Sequence, residues 1–294
     1  MVIIMFPIGA VERDTGIGRD TLRIWERRYG FPVPERNSKG ERVYSDGQIK
    51  NLQLLKRLLD QGMRPGKVVG LKDSELNGLI HSMQSEQVEE PKNQACLNKL
   101  IECVAYHKTH RFWELLELTL IQQGMKEFVI ETIAPLVYMI GDKWAKGELK
   151  IFEEHFLTRQ LTLFLDSVIS KMPVNIHSSP VLLATLPGEP HSLGLLMLEG
   201  LLRERAVKVI NLGTEVPMDQ LILATQQYQI TSILLSFSGA YNSNGLRAEL
   251  IELAERLPDT ISIYVGGSGV KRMRKMPEQI VFKKSLQEAA ELDF

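Results

Sequence analysis

The sequence predicts a multidomain protein of the α and α/β classes, with a basic helical head, a helical middle and a parallel α/β sheet. Three observations predict this. Cationic side chains cluster in the first 72 residues, helical periodicity runs from residue 95 to about residue 171, and short apolar runs alternate with amphipathic stretches after Pro180. The chain has 294 residues, of which 44% are hydrophobic and 24% charged, which is enough for about two domains with cores.

The net charge of −1 conceals an uneven distribution of charge along the chain. Residues 1–72 contain 14 Lys and Arg against 8 Asp and Glu, a charge of +6, whereas residues 73–294 contain 21 against 28, a charge of −7. A basic end on an acidic body is typical of proteins that bind a polyanion through one end. The near-neutral total is therefore no evidence against a nucleic-acid partner.

Hydropathy and cysteine usage favour a cytoplasmic protein without a membrane partner. No apolar run reaches the roughly 18 residues that suggest a membrane span, and residues 1–5 are too short for a secretory signal. Cys96 and Cys103 stand seven apart in a helical pattern, which is the spacing of neither a zinc site nor a disulfide-rich secreted fold. We interpret both as buried core thiols.

Residues 1–72 contain a helix-turn-helix pattern. Residues 6–15 predict a short helix, Gly16 to Gly18 a break, and residues 20–29 an Arg-rich second helix with Asp20 as its N-cap. Long cationic side chains on such a helix reach phosphates and guanine edges in a major groove. A turn at residues 36–44 predicts a basic wing beside that groove. The candidate DNA-binding residues are Arg19, Thr21, Arg23, Arg27, Arg28, Tyr29, Lys39, Arg42 and Tyr44.

The run TLRIWERRYG at residues 21–30, followed by RVY at residues 42–44, resembles the winged helix-turn-helix of MerR-type regulators. The resemblance covers residues 6 to about 71. It implies a transcriptional regulator that binds a pseudo-palindromic operator in double-stranded DNA as a dimer. A solvated charged helix in a generic helical domain is the alternative, and Trp25 and Tyr29 are also candidates for core packing.

Residues 73–94 are polar and predict an exposed linker. Four helical segments then follow at 95–107, 109–123, 126–146 and 151–171, which predicts a small four-helix bundle over residues 95–172. Trp144 lies near the end of the third helix, and Glu154 and His155 lie at the start of the fourth, so a hairpin can bring them to one end of the bundle. On spacing alone, a core tryptophan and a surface Glu-His pair is the simpler interpretation.

Short apolar runs at 181–185, 207–211, 232–236 and 261–265 alternate with amphipathic stretches, which predicts βαβ units over residues 178–294. A fifth strand and helix follow near residues 280–292. Ligands of such sheets bind beyond the carboxyl ends of the strands. The residues at those ends that carry chemistry or permit close approach are Glu189, His191, Gly194, Ser236, Ser238, Gly266 and Gly267.

Together these residues resemble the signature of the cobalamin-binding domain, which reads acid-x-His-x-x-Gly, then Ser-x-Leu and Gly-Gly. Ser238 departs from it, because the family has Leu there. The resemblance implies a Rossmann-like, flavodoxin-like sheet, with His191 as the lower cobalt ligand and Glu189 as the partner of its other nitrogen. Small residues at 236, 266 and 267 would lie beside the nucleotide tail of the cofactor.

The order of the three modules resembles the CarH/LitR family of photoreceptor repressors, over nearly the whole chain. The resemblance implies that Trp144 packs on the adenosyl group of adenosylcobalamin, that Glu154 contacts it, and that His155 binds cobalt after light breaks the Co–C bond. It also implies a homotetramer that represses its promoter in the dark and dissociates on photolysis, with no enzymatic activity.

Two alternatives stay open at this point. The first is a light-independent regulator of the same architecture, which senses methylcobalamin or another corrinoid or has lost the cofactor. The second is a corrinoid-carrying methyltransferase or mutase subunit, since the same cobalamin fold serves those enzymes. The basic head disfavours the second, and the chain lacks room for a catalytic barrel of about 250 residues.

Overall fold

The computed structural model describes residues 5–60, 63–84, 93–145, 148–239, 241, 245–270 and 276–293. The chain forms two compact units, Met1–Pro91 with Tyr138–Glu154 and Lys92–Val137 with His155–Phe294. Among the described helices, none combines the length and the apolar character needed to cross a membrane.

The first unit contains a small antiparallel sheet and a set of short helices. Strand β3 pairs with β1 on one side and with β2 on the other. Its elements up to residue 84 are β1 (Met5–Pro7), α1 (Ile8–Thr15), α2 (Arg19–Tyr29), β2 (Glu35–Arg36), β3 (Arg42–Ser45), α3 (Asp46–Asp60), α4 (Pro65–Val68) and α5 (Asp73–Gln84).

The helix-turn-helix is confirmed, with two changes at its boundaries. The first helix begins at Ile8 rather than at residue 6, because residues 5–7 pair with β3 as a strand. The second begins at Arg19 with Gly18 as its N-cap, so Asp20 lies in the first turn and is not the cap. A carboxylate in the first turn still interacts favourably with the positive end of the helix dipole.

The core of this part of the first unit is formed by residues from every helix and from β3. Trp25 is 5% exposed and belongs to it, whereas Tyr29 is half-buried and packs at its edge. The buried members are Val11, Ile17, Leu22, Trp25, Tyr44, Ile49, Leu52, Leu54, Leu55, Leu58, Val68 and Leu76.

The linker prediction is wrong for residues 73–84, which form α5. This helix packs against α3, with Leu76 fully buried between them. At its start the Asn51 side-chain amide donates to the Asp73 carboxylate at 2.5 Å, and the Glu75 carboxylate accepts a 2.9 Å bond from the Lys72 backbone N–H. Leu76, the partly buried Leu79 and the bond from Asn51 thus hold a mostly polar helix against the core, while the Lys72–Glu75 bond closes its first turn. Of the rest of the predicted linker, residues 85–92 lie outside the described residues, and Gln94 begins the next helix.

The helical middle follows the predicted segments closely. Its described elements are α6 (Gln94–Ala105), α7 (Thr109–Glu127), a π-helical turn (Phe128–Ile133), α8 (Ala134–Ala145) and α9 (Ile151–Ile169). Gly124 has a φ of 76° that breaks the helical path inside α7, and it lies in the gap between the second and third predicted segments. Cys103 is buried as expected, whereas Cys96 is only half-buried.

Aromatic side chains hold α7 and α9 together. The Phe164 ring lies 5.4 Å from the Trp113 ring and 5.9 Å from the Phe128 ring, and Phe164 is 1% exposed. The Trp113 indole N–H donates to the Gln160 side-chain oxygen at 2.8 Å. A tryptophan in this position packs its ring in the core and satisfies its one donor at the edge.

The α/β part is a doubly wound parallel sheet with strand order β5-β4-β6-β7-β8, the flavodoxin-like order that the resemblance implied. The order reverses between β4 and β6, so the crevice for a ligand lies beyond their carboxyl ends. The elements are β4 (Val181–Ala184), α10 (Leu193–Glu204), β5 (Val209–Asn211), α11 (Met218–Gln227), β6 (Ser232–Ser236), α12 (Leu246–Arg256), β7 (Ser262–Gly266), a 3₁₀ turn (Ser268–Val270), β8 (Ile280–Phe282) and α13 (Leu286–Ala290).

Candidate functional site

The carboxyl ends of β4 and β6 bring a buried acid and an exposed histidine together at the reversal point of the sheet. Glu189 is fully buried, whereas the side chain of His191 is 56% exposed. The Glu189 Oε1 atom lies 2.5 Å from His191 Nδ1 and accepts a 3.1 Å bond from the His191 backbone N–H. Because a carboxylate only accepts, Nδ1 carries the proton, and Nε2 is the ring nitrogen that could ligate a metal.

Ser238, on the loop after β6, completes the arrangement around Glu189. Its backbone N–H donates to Glu189 Oε2 at 2.6 Å, and its hydroxyl oxygen lies 3.1 Å from His191 Nδ1. Both oxygens of the buried carboxylate therefore have partners. The residue that departs from the family signature contacts both members of the pair.

These contacts decide the charge of Glu189. Burial raises the pKa of its carboxyl group, but the hydrogen bonds from His191 and from the Ser238 backbone N–H outweigh it and leave the pKa below its usual value. The group is therefore ionised at neutral pH. A carboxylate at Nδ1 fixes the orientation of the ring and makes Nε2 a stronger metal ligand.

Glycines let the loops around this pair approach closely. A Cβ atom on Gly194 would lie 2.5 Å from Ser236 Oγ, and one on Gly267 would lie 2.1 Å from the Phe237 carbonyl oxygen. Gly266 is different, because its nearest neighbour would be 3.8 Å away. Gly269, which sequence reasoning did not single out, has the Ser238 carbonyl oxygen at 2.5 Å from such an atom. The sequence feature that could have identified it is a third glycine two residues after Gly267.

The structure places the second predicted set on the expected helices. Trp144 lies on α8. Glu154 is half-buried in the first turn of α9, and His155 directly after it is exposed. The side chain of Trp144 lies outside the described residues. Trp144 and Glu154 belong to the first unit and His155 to the second. Their convergence on one ligand stays a prediction.

Most of the predicted DNA-binding side chains lie on the surface of the head. Arg19, Arg23, Arg27, Arg28 and Lys39 are exposed. Thr21, Tyr29 and Arg42 are half-buried.

Tyr44 corrects the prediction for this set. Its side chain is fully buried among the core residues of the head, so it does not lie on a surface that could contact DNA.

Two of the arginines also brace the head. Arg42 Nε donates to Glu26 Oε2 at 2.9 Å and its Nη2 to Glu26 Oε1 at 3.4 Å, which ties the wing strand β3 to the recognition helix α2. Arg19 Nε lies 2.6 Å from Glu12 Oε2 across the turn between α1 and α2. Carboxylates thus fix the direction in which these two guanidinium groups point.

The turn of the wing is ordered by its own side chains. Arg36 Nη1 donates to the Gly40 carbonyl at 2.7 Å, and the Asn37 side-chain oxygen accepts from the backbone N–H groups of Lys39 and Glu41, both at 2.9 Å. Gly40 has a φ of 76°, which a side chain would disfavour. Lys39 is consequently held exposed at the tip, where a cation can reach a phosphate.

Comparison with protein families assigns three parts of the chain. The MerR HTH family regulatory protein model matches residues 6–75, and two B12 binding domain models match residues 96–167 and 179–285. The chain is a MerR-type transcriptional regulator with a cobalamin-binding domain.

Two relatives match this regulator over about nine tenths of both chains, and a third matches a shorter segment. The HTH-type transcriptional repressor CarH of Myxococcus xanthus is 27% identical over 268 residues, which cover 90% of this chain and 89% of CarH. CarA, a repressor of the same organism, is 27% identical over 269 residues, 91% of this chain and 88% of CarA. The regulator MlrA of Salmonella typhimurium is 34% identical over 95 residues only, 29% of this chain and 39% of MlrA.

Among solved structures, the monomethylamine corrinoid protein of Methanosarcina barkeri has a similar fold. It superposes with a TM-score of 0.54 at 16% identity and covers 68% of this chain and 97% of that one. At this identity the similarity concerns the fold alone.

The residues of the regulator at the reversal point fit a cobalt corrinoid. His191 is an exposed imidazole whose Nδ1 is held by a buried, ionised carboxylate, and metal-binding histidines commonly donate their other ring N–H to a carboxylate in this way. When bound, the corrinoid would supply a cobalt centre, and His191 is the residue that would hold it. Gly194 and Gly267 let the surrounding loops pack closely, and the 56% exposure of the His191 side chain leaves the imidazole accessible to a ligand.

Proposed function

We propose that this regulator represses transcription from its operator, that adenosylcobalamin bound at His191 controls the repression, and that light is the signal. The observation that carries the proposal is the buried Glu189 carboxylate that orients the exposed His191 imidazole, in a chain whose head is a DNA-binding module. Similarity to CarH and CarA over about nine tenths of the chain supports it, since both are named transcriptional repressors.

The protein residues have distinct tasks in this proposal. His191 Nε2 holds the corrinoid from below, while Glu189 and Ser238 keep the ring in the required tautomer and orientation. Trp144 and Glu154 cover the upper face of the corrinoid and contact its adenosyl group. His155, an exposed imidazole at the start of α9, is the ligand available to the upper face once that group has left.

We further propose the modules and the assembly that this switch requires. Residues 1–72 bind DNA, residues 95–172 cap the cofactor and residues 178–294 hold it. In the dark the loaded chains form a dimer or tetramer, which presents several basic heads to a pseudo-palindromic operator at high effective concentration. Loss of the adenosyl group alters the cap and separates the chains, since a local bond change can bias a two-state assembly.

We assign no catalytic residue to this chain, because the relatives matched over most of its length are named as transcriptional regulators. The corrinoid-carrier alternative shares only the fold of the sensing part.

The direct experiment compares the protein loaded with adenosylcobalamin before and after green light. We expect an absorption spectrum that changes on illumination, a decrease in oligomer size by size-exclusion chromatography, and a loss of operator binding in a gel-shift assay. Loading the protein with methylcobalamin instead tests whether residues 95–172 accept a methyl group on cobalt in place of the adenosyl group. Unchanged size and operator affinity after complete photolysis would overturn the light switch and leave a light-independent corrinoid regulator.

Two variants separate the cofactor site from the DNA site. His191→Ala is expected to alter the cobalt spectrum, because the lower ligand is lost, while the head of the variant protein without cofactor keeps its affinity for nonspecific DNA. Arg23→Ala is expected to show the converse, a weaker operator complex at matched salt with an unaltered spectrum. A spectrum of His191→Ala identical to that of the wild type would exclude it as a ligand.

A further inference from the structure

Thr185, the first residue after β4, uses all its polar atoms to join two loops. Its backbone N–H donates to the Gly213 carbonyl at 3.1 Å, and its carbonyl accepts from the Val216 N–H at 2.9 Å. Its hydroxyl donates to the Glu189 carbonyl at 2.6 Å and accepts from the Glu215 N–H at 2.8 Å. Thr185 is fully buried, so water does not compete for these bonds. It fastens the loop after β5 to the loop that carries the imidazole.

Glu215 makes a second connection between the same loops. Its φ is 57°, in the left-handed region that residues other than glycine rarely adopt. The Gly188 N–H donates to its carboxylate Oε1 at 3.3 Å, while its own N–H is bound by Thr185. Strained backbone of this kind persists only where surrounding contacts hold it, and it clusters at functional sites. Here those contacts lead into the loop that ends at His191.

The two connections meet at Glu189, whose backbone and side chain are held by different partners. Thr185 holds its carbonyl oxygen, and Ser238 holds one oxygen of its carboxylate, while the other oxygen faces His191. A shift of the Glu189 backbone therefore moves the carboxylate, and with it the imidazole ring.

We propose that Thr185 and Glu215 are positioning residues that set the orientation of His191 towards a corrinoid. The inference rests on the proposed function, because it takes His191 as the cobalt ligand. Both residues act through the backbone of residues 188 and 189, which Glu215 and Thr185 respectively bind. The loss of conformational entropy on binding cobalt is smaller when the loop is already held in the conformation that binds it.

The first test compares Thr185→Val with Thr185→Ser. Valine keeps the shape of the side chain but loses the hydroxyl, which leaves two backbone groups without their partner, whereas serine keeps the hydroxyl. The probe is diaquocobinamide, a corrinoid without a nucleotide base, so that protein imidazole is the lower ligand whose binding shifts the absorption spectrum. We expect ligation of His191 to weaken about tenfold in Thr185→Val, the factor that one net hydrogen bond is worth, and to stay within about twofold of wild type in Thr185→Ser.

A second readout needs no cofactor. Amide hydrogen exchange of residues 186–192 in the cofactor-free protein should accelerate in Thr185→Val and not in Thr185→Ser, while exchange in β7 stays unchanged. If Thr185→Val fails to fold, two variants of the exposed Glu215 provide a less disruptive comparison. Glu215→Asn tolerates the left-handed backbone but cannot reach Gly188, and we expect about threefold weaker ligation. Glu215→Gln keeps the accepting oxygen and should match the wild type.

The outcomes are separable. Weaker ligation together with faster exchange in Thr185→Val, both restored in Thr185→Ser, supports the positioning role. Equal spectra and equal exchange in both variants overturn it while the cobalamin switch stands. If wild-type protein fails to ligate diaquocobinamide and shows the same spectrum as His191→Ala, the proposed function fails, and the exchange experiment still decides whether the two residues fasten the loop.

Discussion

Replacing Gly267 by alanine should destabilise the cobalamin-binding domain much more than the same change at its neighbour Gly266. The two glycines are adjacent, and the sequence assigned both the same task beside the nucleotide tail. Their surroundings differ. A Cβ on Gly267 would lie 2.1 Å from the carbonyl oxygen of Phe237 and 2.9 Å from its carbonyl carbon, and Gly267 has a φ of 99°. A Cβ on Gly266 would have its nearest neighbour, the Lys283 carbonyl oxygen, at 3.8 Å.

The cost at Gly267 has two sources. A residue other than glycine at this φ costs about 1–3 kcal/mol. The overlap with Phe237 involves backbone, so no side-chain rotation relieves it, and the two segments must move apart. That movement strains the bonds from Phe237 N–H to the Gly266 carbonyl at 3.0 Å and from Gly269 N–H to the Phe237 carbonyl at 3.1 Å, each worth about 1 kcal/mol. We expect a loss of about 3–5 kcal/mol in the free energy of unfolding.

The assay is thermal unfolding of the cofactor-free variants, followed by circular dichroism and calorimetry. Gly267→Ala should lower the midpoint of the α/β transition by about 10 °C or more. Gly266→Ala should leave it within a few degrees, since alanine in a strand loses less backbone entropy than glycine on folding. If both variants unfolded at the same temperature as the wild type, the steric reasoning at Gly267 would be wrong.

Three further predictions concern the helical middle and the head. Trp113→Phe keeps the ring contact with Phe164 but loses the indole N–H bond to Gln160, so the unfolding free energy should fall by about 1 kcal/mol. A loss above about 3 kcal/mol in a urea titration would show that Trp113 contributes more than this one hydrogen bond. Phe164→Ala empties a site that is 1% exposed and should cost about 3–5 kcal/mol by the same titration, unless the cavity collapses. Arg42→Ala should weaken the operator complex about tenfold in a gel shift, because Arg42 also ties the wing to Glu26, whereas Lys39→Ala should weaken it only a few-fold. Equal losses of affinity in the two variants would contradict a role for the Arg42–Glu26 ion pair in DNA binding.

The architecture of the sheet could be predicted from the sequence because it depends on patterns that one chain displays. Apolar runs separated by amphipathic stretches require parallel strands with crossover helices, and their right-handed connection limits the order of the strands. The positions of Glu189 and His191 followed, since both stand directly after the first strand of that pattern.

The errors have a common physical origin in contacts between residues distant in sequence. Helix α5 was assigned to a linker because its composition is polar, yet it packs on α3 through the buried Leu76, the partly buried Leu79 and the bond from Asn51 to Asp73. Tyr44 was placed at the DNA because it stands beside a basic turn, and only the pairing of β3 shows that it faces the core. Thr185 gave no signal at all, because a threonine at the end of a strand is ordinary until its hydroxyl is seen to bond two loops.

Ser238 shows why a departure from a signature need not change the site that the signature describes. The bond that Glu189 receives from residue 238 comes from the backbone N–H, which every residue except proline supplies. The carboxylate therefore keeps its charge and orientation whichever side chain stands there, while the serine hydroxyl adds a contact of 3.1 Å to the imidazole. What the substitution alters is thus the polarity around His191, and the geometry of the acid that orients it is set by the loop after β6.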